Sequence, residues 1–311
     1  GFGNTKQCNG RLNGQMITSA FPSVAPESSD GTLGGSLVST RNTVKIHLND
    51  KVFEVGPDAM LMQGGADGRV LHKNYVHTEE YLVLCRGALA MMGAPVIDLL
   101  VVGLPVDVPA GRDGELRSIL EGVHEINPQT TVEVKKVLVI SQPLGGFAHY
   151  AYENSKQEAF YKDINLIIDV GFFTLDWVVA QGVNPLNKRC GGTEAGVSHF
   201  LERVGEELKE KLELDDLNIN RIDEAVRNGY IKAFGQRTPI EDYLASGHSV
   251  INEGLNKLQS KIKVVSDIDN IVLCGGGASI YLPLVKARFP KHQINIAPDP
   301  ALSNAKGFYI L

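Results

Sequence analysis

Short apolar blocks alternate with amphipathic stretches along this chain, and the alternation runs nearly from end to end. Lys45–Val55 holds two alternating runs around Asn49-Asp50, the signature of a β-hairpin. Thr78–Met92 repeats apolar residues at helical spacing through Leu82, Cys85, Leu89 and Met92. Asp98–Pro105 is nearly all apolar, as expected of a strand covered on both faces. A helix over Gly114–Ile126 and a strand over Val132–Ile140 follow. Leu166–Val170 is a second buried strand, which turns at Gly171–Phe173 and returns through Asp176–Ala180.

The second half continues the pattern. Thr193 is placed to cap a helix whose stripe is Val197, Leu201, Val204 and Leu208. Ile240–Ile262 fits a long helix with Val250, Ile251, Leu255 and Leu258 on one face. Ile271–Cys274 is a buried strand that breaks at Gly275-Gly276-Gly277 and leads into a helix through Leu284. Alternation of this kind predicts an α/β protein with largely parallel central sheets. The polar stretch Tyr152–Asn165 is the expected border between halves, and the closing residues from Asn304 read as a helix.

Composition narrows the class. At 311 residues the chain is long enough for two domains, and 43% apolar with 21% charged residues is ordinary for a globular protein. The uncharged stretches Val137–Tyr152 and Asn270–Val285 are too short and too interrupted to span a bilayer, and the opening residues do not read as a signal peptide. A net charge of −6 argues against strong direct binding to nucleic acid or to an anionic membrane. Cys8, Cys85, Cys190 and Cys274 form no closely spaced pair, so reduced thiols and a cytoplasmic location are expected.

Four segments could carry chemistry. Asp169 ends an apolar strand, where open α/β sheets bind ligands. A carboxylate there calls for a cation, and magnesium prefers one or two carboxylates together with phosphate oxygens. Gly171, Phe172, Phe173 and Thr174 then form a turn whose N–H groups and hydroxyl can hold a phosphate. Read alone, Asp169 equally serves to cap its own turn. Gly1, Phe2, Gly3, Asn4, Thr5 and Lys6 repeat the Gly-Phe pattern half a chain away, with a lysine suited to phosphate. If the halves are duplicated, an aspartate is expected two places before Gly1. Gly275, Gly276 and Gly277 precede a helix whose N-terminus favours anions. Gln142 can orient a water without titrating. His72 and His77 have the spacing of two metal ligands without an evident third.

Taken in order, GFGNTK, Gln142-Pro143, DVGFFTLD and LCGGGA resemble the phosphate-one, connecting, phosphate-two and adenosine motifs of the actin-like ATPase superfamily. Within it the chain looks most like the ParM/StbA plasmid-segregation family: Phe21–Pro26 and the GFGNTK opening resemble its PRTRC system protein D branch, and Gly103–Val106 and Ser303–Gly307 also resemble these bacterial actins. The resemblance implies a duplicated, ribonuclease H-like, two-lobe α/β fold with a nucleotide cleft between lobes. The lobes would be residues 1–155, with a small hairpin subdomain near 20–75, and 156–302, with 303–311 returning to the first. It implies ATP or ADP with Mg2+, the metal held by Asp169, a hydrolytic water placed by Gln142, and the adenosine end cradled at Gly275–Gly277. It also implies slow hydrolysis coupled to filament assembly, plasmid partition, and a DNA-binding adaptor protein. A small-molecule kinase of the same fold and a non-hydrolysing nucleotide-binding module are the rival readings.

Overall fold

Residues that accept a left-handed backbone close the first two hairpins. Strands β1 (Asn4–Leu12) and β2 (Gln15–Pro22) meet at Asn13-Gly14, with φ of 51° and 82°. Strands β3 (Val44–Leu48) and β4 (Lys51–Val55) meet at Asn49-Asp50, with φ of 50° and 60°, which is the expected hairpin. Asn4, Thr5 and Lys6 therefore lie on a strand rather than in a glycine turn; Gly1–Gly3 lead into it.

Helix α1 (Glu79–Met92) starts at Thr78, whose hydroxyl accepts from the Tyr81 N–H. It buries Val83, Leu84, Gly87, Ala88 and Leu89, a stripe rotated from the expected one. Closest approach sets the rotation: a Cβ on Gly87 would overlap the Val55 side chain. Strands β5 (Val96–Ile97) and β6 (Leu100–Leu104) follow, and β6 is half-buried along most of its length rather than covered on both faces. Helix α2 (Arg112–Leu120) stops six residues short of Ile126, because His124 and Ile126 alternate inward on strand β7 (Gly122–Asn127). The single strand expected over Val132–Ile140 is divided at Lys135-Lys136 into β8 (Thr130–Val134) and β9 (Val137–Ser141). β5, β8 and β7 form one sheet in that order, and β6 pairs with β9.

Helix α3 (Gln142–Glu153) comes next, with Pro143 in its first turn, where no intrahelical N–H bond is lost. Strands β10 (Ile164–Val170) and β11 (Leu175–Gln181) form an antiparallel pair through the Gly171–Thr174 turn. The short strands β12 (Asn184–Pro185) and β13 (Gly191–Thr193) both add to β11. Then come helices α4 (Val197–Lys211) and α5 (Ile219–Asn228), the hairpin β14 (Tyr230–Ala233) and β15 (Gln236–Pro239), and helix α6 (Leu244–Ile262). Strand β16 (Asn270–Cys274), helix α7 (Ala278–Arg288), strand β17 (Ile294–Ile296) and helix α8 (Ser303–Ile310) complete the chain.

The sheet order is β12-β11-β10-β16-β17. It is mixed rather than largely parallel: β10, β16 and β17 run parallel, whereas β11 returns antiparallel. Four residues, Gly171–Thr174, are too few for a crossover connection. Both faces are covered. Leu166, Ile168 and Val170 point to the core shared with α4 and α6, while Ile167, Val272 and Cys274 meet Phe147 and Tyr150 of α3. Thr193 does not cap α4. It lies on β13 opposite Leu175, and its hydroxyl receives the Lys257 ammonium at 3.2 Å.

This computed structural model describes residues 1–28, 41–63, 69, 74–109, 111–154, 161–214 and 217–311. Residues 1–104 and 108–140 make one compact unit; 105–107 and 141–311 make a second. Helices α3 and α8, expected with the first lobe, belong to the second unit. Within it they touch where Gly145 faces Gly307, each lacking a side chain that would overlap the other helix. Among the described residues no helix is long and apolar enough to cross a membrane.

Candidate functional site

The two-residue period of β10 decides where Asp169 goes. With Ile168 and Val170 turned toward α4 and α6, Asp169 faces the other side, with Ile167. Its partner across the antiparallel pair is Asp176, so the two carboxylates share one face of the sheet. Both are buried, at 4% and 2% exposure, which requires donors for their oxygens. The side-chain N–H of Asn304 on α8 donates to Asp169 Oδ2 at 2.7 Å. Asp176 Oδ1 accepts from the Val106 N–H at 2.9 Å, and its Oδ2 accepts from the Thr174 hydroxyl at 2.6 Å.

Burial pushes the Asp176 carboxyl up to about 7; the Thr174 and Val106 donors pull it down, while Asp169 and Asp107 add to the rise. Asp176 thus carries its proton well above the range of an ordinary carboxylate.

Two turns stand side by side at the carboxyl ends of β10 and β16. In the first, the Gly171 N–H donates to the Thr174 carbonyl at 2.9 Å. The carbonyls of Gly171, Phe172 and Phe173 accept from Val197, Ser198 and Gly196 respectively, at 3.1, 2.7 and 3.0 Å. Those bonds satisfy the open N–H groups at the start of α4, which is why no capping side chain is needed there. In the second turn, Gly275 has φ +85°, and a Cβ on it would overlap the Val170 carbonyl and the Asp169 carboxylate. The Gly277 N–H donates to the Val170 carbonyl at 3.0 Å, joining the turns. Gly276 is exposed, and a Cβ on it would meet only Ala301 Cβ, at 4.0 Å.

Of the candidates in the second unit, Asp169, Gly171–Thr174 and Gly275–Gly277 are brought together. Gln142 is the first residue of α3, directly after β9. In the first unit, Ser23 organises the opening segment. Its hydroxyl donates to the Gly1 carbonyl at 2.6 Å and lies 3.0 Å from the Thr5 hydroxyl, and its N–H donates to the Gly3 carbonyl at 3.1 Å. The Arg69 side chain also donates to Gly3 O, at 3.0 Å, and the Phe2 ring stacks on Tyr75. His72 lies outside the described residues; His77 meets Arg112 and Glu115.

Two family models match the chain in succession. The one described as Actin like proteins N terminal domain matches residues 1–145. The other, Archaeal actin homologue MreB-like, C-terminal, matches residues 167–286. The chain belongs to the actin-like proteins. No curated protein matches it by sequence. Solved structures share its fold. A pCBH ParM non-polymerisable quadruple mutant is 18% identical with a TM-score of 0.74, covering 99% of this chain and 95% of that one. The archaeal actin homolog Ta0583, in complex with ADP, is 16% identical with a TM-score of 0.71 and the same coverages, 99% and 95%. A protomer of a 15-stranded ParM filament from Clostridium botulinum is 17% identical with a TM-score of 0.71, covering 94% and 92%.

In this actin-like chain, Ser23, Asp176 and Asn304 were not singled out by sequence as site residues. Asp176 closes the DVGFFTLD motif, and its two-residue offset from Thr174 is the signal for it. Asn304 lies 135 residues from Asp169, so no local pattern could have paired them.

The residues suit a nucleotide and a hard cation. The side-chain-free Gly275 backbone abuts the Asp169 carboxylate, whose oxygens are of the kind a hard cation takes.

Proposed function

We propose that this actin-like protein binds ATP and ADP, hydrolyses ATP slowly, and assembles into nucleotide-dependent filaments that move plasmid DNA through an adaptor protein. The observation that carries the reading is the Asp169 carboxylate set against the glycine turn Gly275–Gly277. The ADP bound by Ta0583 and the filament formed by a botulinum ParM, both on this fold, support it.

When bound, magnesium would supply charge stabilisation to the phosphates, and Asp169 is the residue to hold it, with Asn304 fixing the carboxylate's orientation. Gly1–Lys6 in the first unit and Gly171–Thr174 in the second are the proposed phosphate-binding segments. Ser23 holds the first in shape, and the α4 N-terminus holds the second. Gln142, at the start of α3, would orient the attacking water. Proton transfer by protein groups contributes little to such a reaction; positioning dominates. A net charge of −6 suits a filament that reaches DNA through an adaptor.

Sedimentation and phosphate release with magnesium-ATP test this, with Asp169→Ala as control. Assembly and turnover that depend on nucleotide and vanish in the variant are the expected result. Absence of ATP-dependent assembly removes the filament reading, and absence of phosphate release removes the hydrolase reading.

A further inference from the structure

Helices α3 and α8 meet over a buried histidine that takes no part in the site described above. His149 of α3 is 1% exposed, and Ser303 at the start of α8 is fully buried beside it. The Ser303 hydroxyl donates to the Gly146 carbonyl at 3.3 Å, and His149 Nδ1 lies 3.2 Å from the same hydroxyl oxygen. With the serine proton given to Gly146, Nδ1 is assigned the hydrogen of the neutral ring and donates to Ser303 Oγ. Nε2 is then the bare nitrogen. It lies 3.8 Å from Glu153 Oε1, a neighbour that only a protonated Nε2 can use.

The ring therefore has two seats. Neutral, it holds Ser303; protonated, it gains Glu153 by closing that gap, which draws it off Ser303. The surroundings favour the neutral seat. Burial first, and then Lys306 of α8, hold the His149 pKa below the ordinary histidine value, against Glu153 and Asp299. Lys306 itself pairs with Asp299. On the sheet face covered by α3 the titratable groups are the Cys274 thiol, Asp169 and Asp176. The two helices leave no slack between them: a Cβ on Gly145 would come within 2.8 Å of the Asn304 carbonyl, and one on Gly146 within 2.9 Å of Asn304 Oδ1. Ser303 directly precedes Asn304, whose amide donates to Asp169. Whatever frees Ser303 thus moves Asn304.

We propose that His149 is a proton-operated latch on α8: neutral, it fixes Ser303 so that Asn304 holds Asp169 for magnesium; protonated, it turns to Glu153 and releases the start of α8. The proposal rests on the nucleotide reading above and adds a regulation of that same site. By linkage, acid weakens magnesium binding, and magnesium binding expels the proton from His149 by the same factor.

The test uses His149→Asn and Lys306→Gln in the full chain, with ADP fixed and magnesium titrated while the Tm is followed. Asparagine keeps a donor for Ser303 and takes no proton. Between about pH 7.5 and about pH 5.5 the wild-type magnesium midpoint should rise at least about fivefold more than that of His149→Asn. Both proteins retain Asp169 and Asp176, so their titration cancels in the comparison. Lys306→Gln removes the opposing cation and should move the wild-type change to higher pH. Without metal, amide hydrogen exchange in α8 should quicken in acid relative to His149→Asn at the same pH. Equal pH dependence of the midpoint in wild type and His149→Asn overturns the latch and leaves the nucleotide reading standing. A wild type whose Tm does not respond to magnesium and ADP at neutral pH overturns both. If His149→Asn does not fold, Lys306→Gln decides, and an unmoved pH dependence there overturns the latch.

Discussion

Asn304 holds Asp169: the amide of one donates to the carboxylate of the other at 2.7 Å, from helix α8 to the end of strand β10. A hydrogen bond to a charged group contributes about 1.5–3 kcal/mol. Outer-shell partners of metal-binding carboxylates typically change metal affinity or activity by about 10–100-fold when removed. Asn304→Ala should therefore raise the magnesium concentration needed for a nucleotide-induced Tm shift by at least about tenfold. Titrating magnesium at fixed nucleotide while following the Tm checks this. An unchanged midpoint would mean that the bond is structural only.

Asp176 predicts a pH dependence of stability. Its carboxyl is raised to about 7 by burial. In the unfolded chain it gives up its proton near pH 4, whereas the folded chain retains it. Stability from this group is complete below about pH 4, falls as pH climbs toward 7, and is level above. Asp176→Asn cannot ionise, and its amide can still serve Val106 and the Thr174 hydroxyl. The variant should gain on the wild type by about 2–3 kcal/mol between pH 5 and pH 7. The two Tm values, measured across that interval, should move apart; a constant gap rejects the assignment.

Glu54 predicts the opposite slope in the first unit. Arg41 forks onto it, with Nε at 3.1 Å from Oε2 and Nη2 at 2.9 Å from Oε1. The hydroxyls of Ser28 and Thr43 each donate at 2.9 Å. The Arg41 bond chiefly holds the Glu54 carboxyl down to about 2, against its burial. Stability from this group is present above about pH 4.5 and is lost as pH falls through 2. Arg41→Ala takes the ion-pair partner from the buried Glu54 carboxylate and should lower stability near neutral pH. It should also flatten the acid limb of the stability curve. Thermal melts of both proteins from pH 7 down to pH 3 are the measurement, and equal melts throughout contradict the role.

Where the structure departs from the sequence pattern, the cause is physical. Helix α2 and strand β7 read as one helix because Leu120, His124 and Ile126 satisfy both a helical and an alternating pattern over so short a window. Thr193 looked like a cap because its residue type suits one, but the carbonyls of Gly171–Phe173 took that task, and nothing local to Thr193 encodes them. The α1 stripe shifted because packing closes at Gly87 against Val55, a contact 32 residues apart in sequence.

What the sequence determined alone is the α/β alternation, the hairpins at Asn49-Asp50 and Gly171–Thr174, and Asp169 beside glycine-rich turns. These rest on local rules: which residues accept positive φ, and which spacing puts apolar groups on one face. Only the tertiary structure decided that Asp169 and Asp176 share a face, that Asn304 serves Asp169, and that Ser23 braces Gly1 and Gly3. Such pairings follow from burial. A polar group removed from water must find a partner wherever the packed chain offers one, and sequence distance does not enter.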